Sequence, residues 1–186
     1  MNKTYSISEL TPFINWLYFY HAWGLSGKPR EDKEKMKQEA LQMLASWEEK
    51  YHTHAIFRLF EVCSEGDDLI FFLPGTRFRF PMLRQQHPSA PGEPNLCLAD
   101  FIRPLSQGIR DQVGVFCTSV DGTIIDEYRH DDYLNMMAQT LCDRLAEATA
   151  EKLHEEVRRD REYWGYAPDE NLTIEQQHRE EYQGIR

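Results

Sequence analysis

Residues 55–73 read Ala55-Ile56-Phe57-Arg58-Leu59-Phe60-Glu61-Val62-Cys63, then Ser64-Glu65-Gly66-Asp67-Asp68, then Leu69-Ile70-Phe71-Phe72-Leu73. Two apolar, aromatic-rich runs flank a short polar stretch that contains a glycine. Such a pattern predicts a β-hairpin turning at Gly66. The strands continue outward. Thr76-Arg77-Phe78-Arg79-Phe80 alternates polar and apolar residues, which predicts a strand with one exposed face. Val113–Thr118 predicts a further strand, ended by the Asp121-Gly122 turn. Between them, 85–94 is loop-like, with Pro88, Pro91, Gly92 and Pro94.

Helices bracket this middle. Ser6 or Ser8 suits a helix cap and Pro12 a first turn. Phe13 to Trp23 is apolar nearly all round, which predicts a deeply buried helix, broken by Gly24, Gly27 and Pro29. Met36, Ala40, Met43, Leu44, Trp47 and Tyr51 recur every three or four residues, which predicts an amphipathic helix. A long helix should start at Asp131 or Asp132. Its apolar face would hold Leu134, Met137, Leu141, Leu145, Ala148 and Val157. Trp164-Gly165-Tyr166-Ala167-Pro168 should end it, and Thr173 with Gln176 resembles a capping box for a short last helix. Helices at both ends and strands between them, without βαβ alternation, predict an α+β fold, a twisted antiparallel sheet with helices packed around it. No linker or repeat divides the chain, so 1–186 is expected to be a single domain.

Bulk composition narrows the function. The chain has 186 residues, a net charge of −10 and 41% hydrophobic residues. An acidic protein lacks the clustered Lys and Arg that a phosphate backbone requires, so no nucleic-acid partner is expected. The most apolar early stretch is too short to span a bilayer, and no membrane partner is expected either. Cys63, Cys97, Cys117 and Cys142 show no CxxC spacing, so neither a metal site nor a redox pair is signalled, and a reducing cytoplasm suits them.

Several residues invite a functional and a plain reading. His130-Asp131-Asp132 offers metal ligands, but Asp-rich helix starts are more often caps. His52 and His54 lack a ligand partner at suitable spacing and read as surface residues, while His154 and Glu155 read as a solvated helix face. The Phe13–Trp23 run would line a flat cofactor or simply fill a core. Glu147 lies among Ala146, Ala148 and Ala150, where small side chains let a ligand approach. The plainer reading, favoured on spacing alone, is an exposed glutamate on an alanine-rich helix. Composition and spacing stop there.

Longer motifs go further. Leu83-Arg84-Gln85-Gln86 followed by 95–102, Asn-Leu-Cys-Leu-Ala-Asp-Phe-Ile, resembles the "LRQQ…CLADF" signature of the activation domain of cobalamin-dependent methionine synthase. So do His130–Tyr133, Asp143-Arg144-Leu145-Ala146-Glu147-Ala148, Trp164–Pro168 and Tyr182-Gln183-Gly184-Ile185-Arg186. Ile14-Asn15-Trp16, with Trp23, Leu25, Gly27 and Lys28, matches in order and spacing.

The resemblance implies a chemistry. Methionine synthase works through cob(I)alamin, which is occasionally oxidised to inert cob(II)alamin. The activation domain binds S-adenosylmethionine and docks on the cobalamin-binding domain that carries the second cofactor. Together with an electron from a flavodoxin-like donor, the ligand's methyl group restores methylcobalamin. The chain is thus expected to be part of a methyltransferase system in methionine biosynthesis, acting by positioning. An Arg, a Glu and an Asp of the family's motifs meet the ligand's carboxylate and its positive groups. The matching positions here are Arg186, Glu147 and Asn15. Two departures follow. Asn15 carries no charge where the family has Asp. The sequence stops at Arg186, short of the family's Pro-Ala-x-Gly-Tyr-Pro stretch, so this form is expected to bind weakly. The alternative is a docking module that has lost productive ligand binding.

Overall fold

A computed structural model describes residues 1–88 and 90–161. It contains five strands, β1 (Asn2–Tyr5), β2 (Thr53–Glu65), β3 (Asp68–Leu73), β4 (Thr76–Pro81) and β5 (Asp111–Val120). Its helices are α1 (Ile7–Leu10), α2 (Trp16–Ala22), α3 (Arg30–Trp47), α4 (Ile124–Glu127) and α5 (Asp132–Arg161). The strands form one sheet in the order β1-β2-β3-β4, with β5 also on β2. β1/β2, β2/β3 and β3/β4 are antiparallel. The expected α+β class is therefore what the chain adopts. The chain divides into two compact units, one of Met1–Phe57 with the described residues from Phe116 onward, the other of Arg58–Val115.

In the first unit the chain is set locally by caps. The Ser6 hydroxyl accepts from the Glu9 N–H at 3.4 Å, while the Glu9 carboxylate accepts from the Ser6 N–H at 2.8 Å. This reciprocal box starts α1. Pro12 then sits in a single 3-10 turn, Thr11–Phe13. Asp131 caps α5, its Oδ1 accepting from the Leu134 N–H at 2.9 Å, so His130-Asp131-Asp132 serves as a helix start. α5 buries Met137, Ala138, Leu141, Leu145, Ala148 and Leu153, and α3 buries Ala40, Leu44 and Trp47. The helical periods therefore predict both inward faces, except that Leu134 stays exposed. α1, α2, α3 and α4 each pack on α5.

The expectation for Phe13–Trp23 needs correcting. Only Trp16–Ala22 is α-helical, and within it only Phe19 is buried. Leu17 is 71% and Tyr18 55% exposed. Which side of so short a helix turns inward is set by what it packs against, so an all-round apolar sequence does not imply all-round burial. His154 also departs from its solvated reading, since its ring packs edge-on against Phe116 at 4.9 Å.

The second unit holds the predicted hairpin. β2 and β3 pair from Glu61↔Phe72 to Glu65↔Asp68, and Gly66 takes the turn with φ +62°, a conformation that favours glycine. All six residues of β4 are exposed, so the alternation in Thr76–Phe80 does not bury its phenylalanines. The "LRQQ…CLADF" segment proves structural. The Arg84 guanidinium donates to Asp67 at 2.7 Å, to both Asp100 oxygens at 2.8 Å and to the Asn95 carbonyl at 2.6 Å. Asp100 in turn accepts from the Cys97 N–H at 2.8 Å. The loop between β4 and the 3-10 turn Leu98–Phe101 is thereby tied to the hairpin turn. Beneath it, Cys97 and Ala99 pack with Leu69, Phe71, Met82 and Ile102. The bonds to Asp100 and Asp67 push the Arg84 guanidinium further above its usual range.

Asp121 ties the start of β2 to the end of β5. It accepts from the His52 N–H and from the His54 ring, both at 2.9 Å. Burial opposes its ionisation, but these contacts outweigh it and hold the carboxyl below the usual carboxylate range. A depressed folded value means stability that is full above the unfolded pKa of about 4 and is lost as pH falls through the folded value. Asp121→Asn should therefore cost about 1 kcal/mol at pH 7, discounted for partial exposure. The difference from the parent should shrink as urea midpoints are followed below pH 4. A pH-independent difference would contradict this account. Arg84→Met should lower Tm by roughly 2–4 °C, whereas Arg77→Met, whose guanidinium lies over the Phe72 ring, should change it less.

Candidate functional site

Asn15 and Glu147, the two motif-matched residues that fall within the described chain, both belong to the first unit. Asn15 is exposed and is the N-cap of α2. Its Oδ1 accepts from the Leu17 N–H at 3.1 Å. One helical turn onward, Tyr18 projects from α2 with its ring largely open. The Arg144 guanidinium lies over this ring, 5.6 Å from its centroid. Arg144 also donates to Glu147 Oε2, three residues further along α5. A chain of contacts thus runs from α2 to α5, through Tyr18 and Arg144, to Glu147.

The surroundings hold α2 in place. Phe19 is fully buried, with Trp16 edge-on at 5.4 Å and Trp23 at 6.3 Å. The Lys37 ammonium sits 5.0 Å over the Trp16 ring, and Lys152 is equally far over Phe13. Trp23 also meets Tyr133 edge-on at 5.3 Å. Tyr133 donates to Glu39 at 2.5 Å, which pushes its phenol up to about 12. The indole N–H of Trp23 is buried and has no acceptor among the described residues.

The small residues around Glu147 behave as the alanine-rich run suggested. Ala148 is buried, which fixes α5 against the core, and the Glu147 side chain remains 41% exposed. Its second oxygen, Oε1, makes no hydrogen bond among the described residues. An ionised carboxylate has lone pairs to spare on both oxygens, so Glu147 can take a cation without giving up Arg144. Asn15 is less available. One lone pair of its carbonyl is spent on the cap, which leaves one for a ligand. Arg186, and with it Trp164–Pro168 and the Thr173 box, lies outside the described residues.

Other candidates prove ordinary. His54 pairs with Asp121 and is not a lone surface residue. Among the described residues no three His, Cys, Asp or Glu side chains gather where a metal ion could sit. Cys63 and Cys97 are buried, and burial raises the Cys63 thiol and pushes Cys142 up to about 11, away from reactivity. An open groove of about 450 Å³, lined by Ser64–Gly66 and Pro104–Ser106, belongs to the second unit and contains none of the motif-matched site residues. Tyr18 and Arg144 were not singled out by sequence reasoning. The i,i+3 spacing of Arg144 and Glu147 is a visible signal for their pairing, but nothing in the sequence places Tyr18 beside them.

The family described as vitamin B12 dependent methionine synthase, activation domain, matches residues 6–186. The chain belongs to this family. Among solved structures, the crystal structure of the MetH reactivation domain bound to AdoHcy is similar to it, with 35% sequence identity and a TM-score of 0.75. The match covers 100% of this chain and 62% of that one, so the chain spans under two thirds of the length of that relative. Membership carries the antiparallel α+β fold with it. It also explains the position of the motifs: "LRQQ…CLADF" holds the second unit together, while the "LAEA" segment presents Glu147 on α5.

Proposed function

We propose that this activation domain binds S-adenosylmethionine at the α2–α5 surface and presents its methyl group for reductive reactivation of a cobalamin-dependent methionine synthase. The observation that carries the reading is Glu147: a half-exposed carboxylate with one uncommitted oxygen, in the family segment that the resemblance assigns to the ligand's positive end. The relative was solved with AdoHcy, which shares the ligand's amino-acid and adenosine parts. When bound, S-adenosylmethionine supplies the methyl group, and a cobalamin on a partner domain receives it.

The chain's own residues bind and orient. Glu147 accepts the ligand's ammonium through Oε1. Asn15 offers its remaining carbonyl lone pair while still capping α2. Arg186 pairs with the ligand carboxylate, as a planar guanidinium does bidentately. The role proposed for these residues is positioning. The partners on this reading are the cobalamin-binding domain of methionine synthase and a flavodoxin-like electron donor. Among the described residues no helix is long and apolar enough to cross a membrane, and four unpaired thiols suit a reducing cytoplasm.

A second reading has one observation in its favour. Asn15 carries no charge and its oxygen already serves the helix. The chain would then dock on a cobalamin domain without productive ligand binding. Calorimetry with S-adenosylmethionine separates the two. We expect measurable binding, weakened about ten-fold by Glu147→Gln, since a charge-assisted bond becomes a neutral one. Asn15→Asp should tighten it about five-fold by the same reasoning. Asp caps a helix as well as Asn does, so α2 should survive the change. Absence of binding in the parent and in Asn15→Asp favours the docking module. Binding that neither substitution alters removes Asn15 and Glu147 from the site.

A further inference from the structure

The Arg144 side chain has two partners and reaches both from the middle of α5. Its guanidinium lies over the exposed Tyr18 ring of α2, 5.6 Å from the centroid, and one of its nitrogens donates to Glu147 Oε2. It is the more sheltered member of the pair, with its side chain 21% exposed against 41% for Glu147. We propose that Arg144 is a positioning residue for the ligand's ammonium, held on Tyr18 and in turn holding Glu147 so that Oε1 faces the incoming cation. This rests on the reading of Glu147 as a ligand-binding carboxylate and adds to it how that carboxylate is set.

The physical argument starts from freedom. A glutamate on a helix surface samples several rotamers, and fixing one costs free energy at the moment of binding. An ion pair at i,i+3 on an exposed helix face restrains it only weakly. Arg144 differs from a fully exposed partner because its guanidinium also lies over the Tyr18 ring, 5.6 Å from the centroid, which limits the side chain's freedom. A guanidinium stacked on an aromatic face keeps its in-plane N–H groups free to donate. One of those groups takes Oε2, which leaves Oε1 as the acceptor still open. The opposite effects, repulsion between Arg144 and the ammonium and competition for the carboxylate, are smallest where the ammonium approaches through Oε1, the oxygen that Arg144 leaves open.

The test is titration of S-adenosylmethionine and S-adenosylhomocysteine into the parent chain, Arg144→Gln, Arg144→Lys, Glu147→Gln, Tyr18→Leu, Tyr18→Phe and the Arg144→Gln/Glu147→Gln double variant. Arg144→Gln should weaken both ligands about five- to ten-fold and equally, because both carry the ammonium. Arg144→Lys should recover part of the loss. Tyr18→Leu should reproduce part of it, and Tyr18→Phe, which keeps the ring face, should not. The double variant should bind no more weakly than Glu147→Gln alone, since Arg144 acts through Glu147. Additive losses, an unchanged affinity in Arg144→Gln, or tighter binding from a released competitor would each overturn the proposal while leaving the effect of Glu147→Gln, and so the ligand site, intact. An unchanged affinity in Glu147→Gln would instead overturn the reading of the site itself. Equal Tm values across the set separate these effects from loss of fold, and Arg144→Lys keeps the test open if Arg144→Gln does not fold.

Discussion

The buried stripe of α5 is the constraint on which the first unit depends. Met137, Ala138, Leu141, Leu145, Ala148 and Leu153 lie on one face of the helix and leave water together when that face is covered. α1, α2, α3 and α4 are the elements that cover it. Hydrophobic burial of this kind is worth roughly 25 cal/mol per Å², and it is not directional. Direction comes from polar ties at the edges. Tyr5 donates to Glu156 at 3.2 Å and Lys3 pairs with the same carboxylate at 2.9 Å, which pins β1 to α5. Burial and the nearby Glu156 charge push the Tyr5 phenol well above its usual range, so it remains a donor. Trp47 donates to Tyr128 at 2.8 Å and Tyr51 to Glu127 at 2.5 Å, tying the end of α3 to α4.

The candidate site grows out of the same stripe. Ala148 and Leu145 are fully buried, and Arg144 and Glu147 are their immediate neighbours. The rotation of α5 that buries the first pair therefore sets the second pair at the border with α2. Likewise, burial of Phe19 leaves Tyr18 and Leu17 turned outward. The exposed aromatic and the restrained carboxylate are consequences of core packing. This is how a short, core-like segment comes to carry the proposed binding surface. Binding groups placed on helices anchored by a close-packed interior keep their spacing better than groups on loops.

What was legible in the sequence follows the range of the interactions concerned. The β2–β3 hairpin is local, and its signal, two apolar runs about Gly66, lies within 19 residues. The inward faces of α3 and α5 are legible because a helical period reports burial directly. The burial of α2 is not. Its sequence is apolar on every side, and only the packing on α5 decides that Phe19 goes in and Leu17 and Tyr18 stay out. The exposure of β4 has the same cause, since alternation marks a pleated strand but not whether anything covers its faces. Arg84 joins Asp67 and Asp100, residues 17 and 16 positions away, and no local rule predicts that clamp. Glu147 was marked by its alanine-rich surroundings, and the resemblance gave it a role. Asn15 entered through the resemblance alone, and its service as a helix cap depends on where α2 begins.

The openness of the site bears on what such a domain can do. Leu17 and Tyr18 are among the most exposed large side chains of the first unit, and Glu147 is half exposed beside them. An enzyme that completes its chemistry alone gains from closing over the ligand, because exclusion of water strengthens every charge interaction inside. A domain that hands a methyl group to a cofactor held by another protein has the opposite requirement. One side of its ligand has to remain reachable, and water exclusion must wait for the partner to arrive. Binding strength in the meantime has to come from groups whose geometry is already fixed. The ring of Tyr18, the guanidinium of Arg144 and the carboxylate of Glu147 form such a set, each restrained by the one before it and the first anchored by the burial of Phe19. On the proposed function, the exposure of the α2–α5 surface is therefore a requirement of the transfer, and the open oxygen of the Glu147 carboxylate is what favours a cationic ligand there.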